Sequence, residues 1–465
     1  MKNIINKIPP VYQQPIRFIY YSLPDKIRYG RDFRDFYNFL DKSQYWDKSK
    51  LQEYQIHKIK EIIQHAYNTV PYYYKLFNEY GIKPNAIQDF DDYKKIPYLT
   101  KEIIQNNLKE LVSNNYKNNN KNLLYVTTGG STGIPTGFYI DKKFELIREW
   151  AFVTHIWKRV GYDINKVNKC VILRGNIPFN GLYEYKNREL ILSSYKLTEE
   201  NMINYINLIN KFNPDFIQAY PSSIYILSNY INENKIIINC KNLKCILCAS
   251  ENLYEFQRKE IENAFNVKVF SFYGHTEHAC IGGECEYSNY YHLQSEYGYT
   301  ELINENGQEV TEEDEIGEIV ATGFNNYVVP FIRYKTMDLA VNTNKTCTCG
   351  RNYKLIKKVE GRLQELLITF TGRYISMTAI NMHSNIFDNV QQFQFYQDTP
   401  GVCIFNIVKK PNYTEKDEKI IYRELKKKLG DDMQLIIKYV DNIPRTKSGK
   451  YRFLIQKLDI KYGDR

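Results

Sequence analysis

A glycine-rich segment is the first candidate for chemistry in this chain. Residues 128–137 read Thr-Gly-Gly-Ser-Thr-Gly-Ile-Pro-Thr-Gly and lie between two short β-type runs, 123–127 and 138–140. Glycine lets the backbone approach a phosphate closely, and the hydroxyls can donate hydrogen bonds to its oxygens. No Gly-Lys-Ser or Gly-Lys-Thr follows, so the segment is not a Walker A loop. The pattern predicts either an anion-binding loop or an ordinary hairpin turn. The candidate phosphate ligands are Thr128, Gly129, Gly130, Ser131, Thr132 and Gly133.

The segment Tyr-Gly-His-Thr-Glu at residues 273–277 offers a different kind of ligand. The Glu277 carboxylate is the hard oxygen ligand that magnesium prefers, and the Tyr273 ring offers a face on which a base can stack. The same five residues would also suit a strand-to-loop turn with one solvated glutamate.

Three later segments carry groups that suit a nucleotide. Asp338 ends the segment 330–338, and its carboxylate can accept both hydroxyls of a ribose. Arg362 offers a planar fork of donors to a phosphate or ribose. Lys450 lies on a glycine-containing basic segment, 443–452, that could swing over a cleft and neutralise charge on a transferring phosphoryl group. Each segment alone is more typical of a solvated surface, and the basic segment also of a nucleic-acid tether.

A parallel sheet would bring several of these groups together. Short apolar runs at 216–219, 243–249 and 267–272 are separated by helical patterns, which predicts parallel pairing through right-handed crossovers. Ligands of such sheets bind beyond the carboxyl ends of the strands. Those ends carry the polar segments 220–223, 250–251 (Ser250 and Glu251) and 273–277, so we expect one shared cleft.

The chain changes character after Gly361-Arg362. A strand run at 402–408, a charged amphipathic helix at 416–429 and a strand at 435–440 predict a small α+β domain. With 465 residues the chain is long enough for at least two domains, and we expect a large domain over 1–361 and a small one over 362–465.

Composition excludes several classes of protein. A hydrophobic fraction of 43% with 15% aromatic residues is far from the signature of disorder. No apolar run approaches the roughly 18 residues of a membrane helix, and the first 25 residues do not resemble a signal peptide, so we expect a cytoplasmic protein with no membrane span. The net charge of +10 is scattered along the chain, and we therefore expect no nucleic-acid partner. Nine cysteines are too few for a disulfide scaffold and predict mostly free thiols.

In combination and in this order, the motifs resemble those of the adenylate-forming (ANL) superfamily of acyl-CoA ligases, peptide-synthetase adenylation domains and luciferases. The likeness spans residues 123–452. Within that superfamily the chain is most similar to the phenylacetate-CoA ligase branch, and especially to the capsule-biosynthesis CapK proteins. The residues that carry this narrower likeness lie at 70–73, 96–101, 219–223 and 347–351.

The resemblance implies an α/β fold with a large N-terminal domain of mixed sheets and a small mobile α+β domain. It also implies an acid-thiol ligase that forms AMP. A carboxylic acid attacks ATP to give acyl-AMP and pyrophosphate, and coenzyme A then displaces AMP, with magnesium as cofactor. Two alternatives remain open, an adenylating ligase that passes the acyl group to an amine and a non-catalytic nucleotide-binding protein.

The same resemblance assigns roles to residues. Residues 128–133 would hold the β- and γ-phosphates, and Glu277 would bind magnesium. Catalytic roles fall on Thr276, Glu277 and Lys450. The remaining nucleotide-binding residues would be Ser250, Glu251, Tyr273, Gly274, Asp338 and Arg362.

Three positions depart from the family pattern. Gly129 and Thr136 stand where many relatives carry Ser and Lys, and Met337 replaces a glycine before the ribose-binding Asp338. Loss of that glycine would be expected to alter the turn that presents Asp338.

Members of this branch also carry a cysteine, a histidine and a Cys-x-Cys pair. Here Cys285, His292, Cys347 and Cys349 stand in those positions. Three thiolates and an imidazole suit a closed structural zinc site, whereas inert isolated thiols are the alternative. Cys280 is a substitute ligand in the same region.

Overall fold

The computed structural model describes residues 16, 19–117, 122–127, 136–142, 144–176, 178–362, 366–377, 380, 385–387, 389–446 and 451–458. The predicted phosphate ligands Thr128 to Gly133 and the predicted catalytic Lys450 lie outside these residues. For Arg362 the backbone is described and the side chain is not.

Helices predominate up to Leu111, helices and strands alternate from there to Gly274, and strands predominate after that residue. The helices are α1 (Asp25–Arg28), α2 (Gly30–Ser43), α3 (Lys48–Thr69), α4 (Pro71–Glu79), α5 (Phe90–Tyr93), α6 (Lys101–Leu111), α7 (Phe144–Trp157), α8 (Glu199–Phe212), α9 (Pro221–Glu233), α10 (Glu255–Phe265) and α11 (Glu415–Leu429). The first ten strands are β1 (Leu123–Thr127), β2 (Gly137–Asp141), β3 (Cys170–Leu173), β4 (Tyr183–Lys186), β5 (Glu189–Leu192), β6 (Phe216–Ala219), β7 (Cys245–Cys248), β8 (Lys268–Gly274), β9 (Ile281–Gly283) and β10 (Tyr291–Leu293). The other ten are β11 (Gly298–Ile303), β12 (Ile316–Gly323), β13 (Tyr334–Asn342), β14 (Leu355–Arg362), β15 (Leu366–Ile368), β16 (Tyr374–Ser376), β17 (Val390–Thr399), β18 (Val402–Lys409), β19 (Gln434–Tyr439) and β20 (Leu454–Gln456).

A mixed sheet of 12 strands forms the centre of the larger part, in the order β11-β12-β13-β14-β10-β9-β8-β7-β6-β3-β5-β4. Strands β5, β3, β6, β7 and β8 run parallel, and β9 to β14 continue the sheet in antiparallel pairs. The parallel pairing that the apolar runs predicted is therefore confirmed.

Helices cover both faces of the parallel strands. Ile217 and Ile246 pack on one face with residues of α8, α9 and α10. Phe216 and Leu247 pack on the other face with residues of α2 and α7. Because both faces are apolar, every residue of β6 and β7 is buried, as expected for parallel strands between two helical layers.

The glycine-rich segment joins two paired strands. β1 and β2 are antiparallel, with Leu123 opposite Asp141 and Thr127 opposite Gly137. This confirms the strands predicted on either side of the segment. Phe138 and Ile140 of β2 pack into the apolar core that α3, α4 and α6 share with the antiparallel strands.

The C-terminal part has a sheet of its own. Its four strands run in the order β19-β18-β17-β20, and α11 packs on them. Phe395, Phe405, Ile421 and Leu425 lie at the centre of this separate core. The predicted α+β structure of the region is confirmed. No helix among the described residues is long and apolar enough to cross a membrane.

A buried carboxylate attaches the N-terminal helices to the sheet. Asp25 of α1 is fully buried and accepts hydrogen bonds from Arg188 Nη2 at 2.6 Å, Tyr162 Oη at 2.7 Å and Trp150 Nε1 at 3.2 Å. These donors come from the loop between β4 and β5, the segment after α7, and α7 itself. The Asp25 side chain therefore joins α7 and the segment after it to the loop between β4 and β5, at the edge of the large sheet.

Replacement of Asp25 by alanine should lower the free energy of unfolding by about 3 kcal/mol, because it leaves the Arg188 charge buried without its main acceptor. Denaturant unfolding followed by circular dichroism would measure the change. Asp35→Ala is the matched control, since Asp35 pairs with Arg31 on the exposed surface and its loss should cost less than about 0.5 kcal/mol. Equal effects of the two substitutions would contradict the role given to Asp25.

Candidate active site

The carboxyl ends of the parallel strands form one polar edge. β6 is followed by Tyr220, β7 by Ser250 and Glu251, and β8 by His275 to Glu277. Glu251 joins two of these ends, because its Oε2 accepts a hydrogen bond from the backbone N–H of Ser222 at 3.0 Å. The predicted convergence of the three polar segments is observed.

Glu277 is a buried carboxylate held in its ionised form. His275 Nδ1 lies 3.1 Å from its Oε2, and the Tyr334 hydroxyl donates to its Oε1 at 2.7 Å. Burial opposes ionisation, but the hydrogen bond and charge of His275, together with the Tyr334 hydroxyl, lower the pKa of Glu277 to about 2. The ionised carboxylate keeps lone pairs that these hydrogen bonds do not use, and such an anionic oxygen ligand suits a magnesium ion.

The neighbours of Glu277 in the turn are more exposed to solvent than Glu277 itself. Gly274 and Thr276 are exposed, whereas Glu277 is only 6 % exposed. Ser250, which precedes Glu251 on the neighbouring strand end, has a left-handed backbone with φ of 70°. The backbone of the edge therefore turns sharply at the end of β7.

Tyr273 and Asp338 contact each other directly. The Tyr273 hydroxyl donates to Asp338 Oδ2 at 2.8 Å. Burial, and then the charge of Asp338, raise the pKa of Tyr273 well above its usual value, so the hydroxyl stays a neutral donor. Asp338 on β13 pairs across the sheet with Arg362 on β14. Three residues predicted to surround a nucleotide thus lie in one neighbourhood.

Met337 takes the conformation that a glycine would adopt freely. Its φ is 65°, a left-handed value that costs a side-chain-bearing residue about 1–2 kcal/mol. Its N–H donates to Glu318 Oε1 at 2.9 Å, and Glu318 also pairs with Lys335 at 3.5 Å. The methionine therefore does not leave the left-handed region, contrary to the altered turn expected from the sequence.

The residues that flank Lys450 contact the same strand edge. Arg445 Nη1 donates to the hydroxyls of Ser222 at 3.4 Å and Ser223 at 3.2 Å. The N–H of Tyr451 donates to Glu251 Oε1 at 3.2 Å. Arg445 therefore lies at the start of α9, and Tyr451 lies at the end of β7.

Four metal-ligating side chains form a cluster at the opposite end of the strands, near the start of β8. The ligand atoms of Cys285, His292, Cys347 and Cys349 all lie within 4.8 Å of one another. The sulfurs of Cys285 and Cys347 are 3.5 Å apart, and Cys349 Sγ is 3.2 Å from His292 Nε2. Ligands bound tetrahedrally to zinc at about 2.3 Å would be separated by slightly more, roughly 3.8 Å, so the donor set fits the ion.

The histidine of the cluster is neutral and oriented. Burial, and then the charge of Arg159, lower the pKa of His292 to about 4. His292 Nδ1 lies 3.1 Å from the Tyr290 carbonyl oxygen, which leaves Nε2 facing the thiols. Cys280, the substitute ligand considered from the sequence, lies outside the cluster, and its sulfur accepts a hydrogen bond from the Thr300 hydroxyl at 3.3 Å.

Two pairs of residues that support the site were not predicted from the sequence. Glu318 holds Met337 from the adjacent strand, and His278 Nδ1 lies 2.7 Å from Glu145 Oε1. Burial disfavours a charged His278, but the carboxylates of Glu149 and Glu145 raise its pKa to about 9. No sequence motif marks Glu145 or Glu318, because each meets its partner only through the fold.

Loss of Glu318 should weaken the turn before Asp338. Glu318→Ala leaves the N–H of Met337 and the charge of Lys335 without this acceptor, and we expect a loss of about 2 kcal/mol in the free energy of unfolding. Glu318→Gln keeps a carbonyl acceptor for the N–H and should lose distinctly less. Urea unfolding of both variants would measure the difference, and equal stability of all three proteins would contradict the support given to Met337.

Comparisons with known proteins agree with this architecture. The family model described as the CapK C-terminal domain matches residues 367–457. Protein CapK of Staphylococcus aureus is 25% identical over 430 residues, which cover 88% of this chain and 90% of that protein. Phenylacetate-coenzyme A ligase of Thermus thermophilus is 23% identical over 335 residues, which cover 69% of this chain and 72% of that protein.

Solved structures of one ligase share the fold. A crystal structure of 2-hydroxyisobutyryl-CoA ligase in the postadenylation state, in complex with R3-HIB-AMP, has a TM-score of 0.69 at 16% identity and covers 89% of this chain and 93% of that chain. The same ligase in complex with 2-HIB-AMP and CoA in the thioesterification state has a TM-score of 0.56 at 17% identity and covers 89% of this chain and 92% of that one. The α/β fold of adenylate-forming enzymes, with its large mixed sheet and small C-terminal α+β sheet, is thus confirmed. The chain is therefore similar in sequence to CapK and to the phenylacetate-coenzyme A ligases, and it shares the fold of the CoA ligase structures.

Proposed function

We propose that this protein activates a carboxylic acid with ATP and transfers the acyl group to coenzyme A. The acid would attack the α-phosphate to give acyl-AMP and pyrophosphate, and the coenzyme A thiol would then displace AMP. The main support is the arrangement of Glu277, the Tyr273–Asp338 pair and Glu251 along one strand edge, where the residues flanking Lys450 also dock.

The proposed nucleotide site follows this edge. Tyr273 and Gly274 would lie against the adenine, Asp338 would accept from the ribose, and Arg362 would approach from the end of β14. Ser250 and Glu251 would border the adenine and acyl pockets. The phosphate-binding residues would be Thr128, Gly129, Gly130, Ser131, Thr132 and Gly133. Magnesium, when bound by Glu277, would supply positive charge beside the phosphates.

Charge neutralisation and alignment are what this chemistry needs most. A carboxylate that attacks a polyanion is repelled by it, and a positioned cation offsets the charge that develops in the transition state. Lys450 is the residue we assign to that role, and Thr276 would contact the reacting groups at the Glu277 turn. We also propose that residues 362–465 form a small domain that moves relative to 1–361 between the two steps.

The cysteine cluster is proposed to bind a structural zinc ion. Four protein ligands would close the coordination sphere, so the ion would join the turn after β9 to the loop between β13 and β14 without taking part in the reaction. A pathway in capsule or cell-envelope polysaccharide synthesis, and residence in the cytoplasm, are proposals that rest on the likeness to CapK and the phenylacetate-coenzyme A ligases alone.

Pyrophosphate release tests the proposed reaction. Purified protein would be supplied with ATP, magnesium and a panel of aryl, fatty, amino and uronic acids, each with and without coenzyme A. We expect acid-dependent release, followed by a thioester when coenzyme A is present. Release that depends instead on an added amine would identify an amide-forming ligase, and ATP binding with no release from any acid would indicate a non-catalytic nucleotide-binding protein.

Lys450→Ala should reduce acyl-adenylate formation by about 100-fold or more, because the developing charge on the phosphoryl group loses its cation. Thioester formation from a supplied acyl-adenylate should be spared. Both half-reactions would be measured separately, by pyrophosphate release and by thioester appearance. Lys416→Ala, on the exposed face of α11, is the control and should affect neither step. An equal loss of both steps in Lys450→Ala would contradict the assigned role.

Metal analysis tests the cluster. We expect about one zinc per chain in the wild type, none in the Cys347→Ser, Cys349→Ser double variant, and a lower melting temperature for that variant. Cys240→Ser is the control and should keep its zinc, because the Cys240 thiol lies elsewhere and donates to the Ile209 carbonyl oxygen at 3.5 Å. A zinc-free wild type would show that these thiols only pack against one another.

A further inference from the structure

Arg174 lies on the same strand edge as the candidate active site. It directly follows β3, which pairs in parallel with β6. The N–H of Tyr220, which follows β6, donates to the carbonyl oxygen of Leu173 at 3.2 Å, so the two strand ends stay side by side. Arg174 therefore lies one strand beyond Tyr220, on the side away from β7 and the proposed nucleotide groups.

No described residue forms an ion pair or a side-chain hydrogen bond with the Arg174 guanidinium. The side chain is partly exposed. Burial lowers the pKa of Arg174, and Tyr220, Glu189 and Cys170 oppose that shift without contacting the charge. A guanidinium that is partly desolvated without an acceptor is costly in a folded protein, and such groups are concentrated where a ligand supplies the missing partner.

A second arginine lies at the neighbouring strand end. Arg445 reaches the start of α9, where its guanidinium bonds the hydroxyls of Ser222 and Ser223. Glu189 is the carboxylate whose charge acts on Arg174. Glu251 lies farther along the edge, at the end of β7, and both of its oxygens accept backbone N–H groups, from Ser222 and Tyr451. Two arginines therefore lie at the ends of β3 and β6.

We infer that Arg174 determines which acid is used, by binding a second anionic group at the far end of the substrate. The inference rests on the proposed function, because it assigns the part of the acid that is not adenylated. A carboxylate or a phosphate monoester would match the planar fork of the guanidinium with two oxygens. The competing occupant is an uncharged aryl group, which would meet the guanidinium with a ring face.

Matched pairs of acids separate these occupants. Succinic, glutaric and adipic acids carry a second carboxylate, and succinamic, glutaramic and adipamic acids replace it with a neutral amide of the same size. 3-Phosphoglyceric and glyceric acids make the same comparison for a phosphate, and phenylacetic acid represents the aryl group. Pyrophosphate release would give kcat/KM for each acid in the wild type, Arg174→Met and Arg174→Lys.

We expect the wild type to prefer an acid with a second anionic group over its matched monoanionic acid, and Arg174→Met to lower kcat/KM for the preferred acid by about 100-fold. Arg174→Lys keeps the charge and loses the fork, so its kcat/KM should lie between those of the wild type and Arg174→Met. Preference for the dicarboxylic acids or for 3-phosphoglycerate would identify the second group. Arg423→Met, on the exposed face of α11, is the control and should leave every rate unchanged. Melting temperatures of all variants would exclude unfolding as the cause of a loss.

Two results would overturn the inference, and they differ in what they say of the proposed function. If phenylacetic acid or another acid with no second anionic group is preferred and Arg174→Met leaves the preference intact, the ligase stands and the substrate with a second anionic group does not. If no acid at all supports pyrophosphate release in the wild type, the proposed function fails, and the inference fails with it.

Discussion

Parallel pairing of β3, β6, β7 and β8 is the constraint on which the rest of this structure depends. Helices cover both faces of these strands, so every residue of β3, β6 and β7 is buried and most of them are apolar. Polar groups then lie mainly where the strands end. Since parallel strands end at one edge, residues from sequence positions 174 to 277 are forced into a single row.

Carboxylates at these strand ends would repel a polyanionic substrate. Glu251 and Glu277 present carboxylates at these strand ends, and Asp338 of β13 adds a third beside Tyr273. The charges of Lys101 and Arg445 act on Glu277 and Glu251. Because an ATP-binding function places a polyanion beside these carboxylates, the arginine and lysine on the C-terminal segment matter to the proposal.

The cysteine cluster lies at the opposite end of the strands, near the start of β8. Cys347 and Cys349 lie in the loop that leads into β14, the strand that ends beside Asp338. Arg351 continues this loop with a two-point ion pair to Glu286 and a hydrogen bond from Nε to Gln44 of the segment after α2. The loop is thereby held to the turn after β9 and to the N-terminal helices, and the start of β14 is held with it.

Much of the architecture was readable from local sequence. Apolar runs of four to seven residues predicted β6, β7 and β8, because buried parallel strands are continuously hydrophobic, and the 3.6-residue pattern predicted α10 and α11. The motif around Glu277 and the Cys-x-Cys pair could be recognised in the sequence, because few other residue types can replace glycine, cysteine or an acidic residue at such fixed spacings.

Other features were decided only when distant segments came together. The pKa of Glu277 depends on Tyr334, the left-handed Met337 depends on Glu318, and His278 depends on Glu145, each through a contact that no local pattern encodes. Arg174 looks like any polar residue after a strand until the fold shows no described acceptor for its charge. Hydrophobic periodicity determines secondary structure because it acts between neighbours in the chain. Charge and hydrogen bonding were left to the tertiary structure because burial, which sets their strength, is a property of the whole fold.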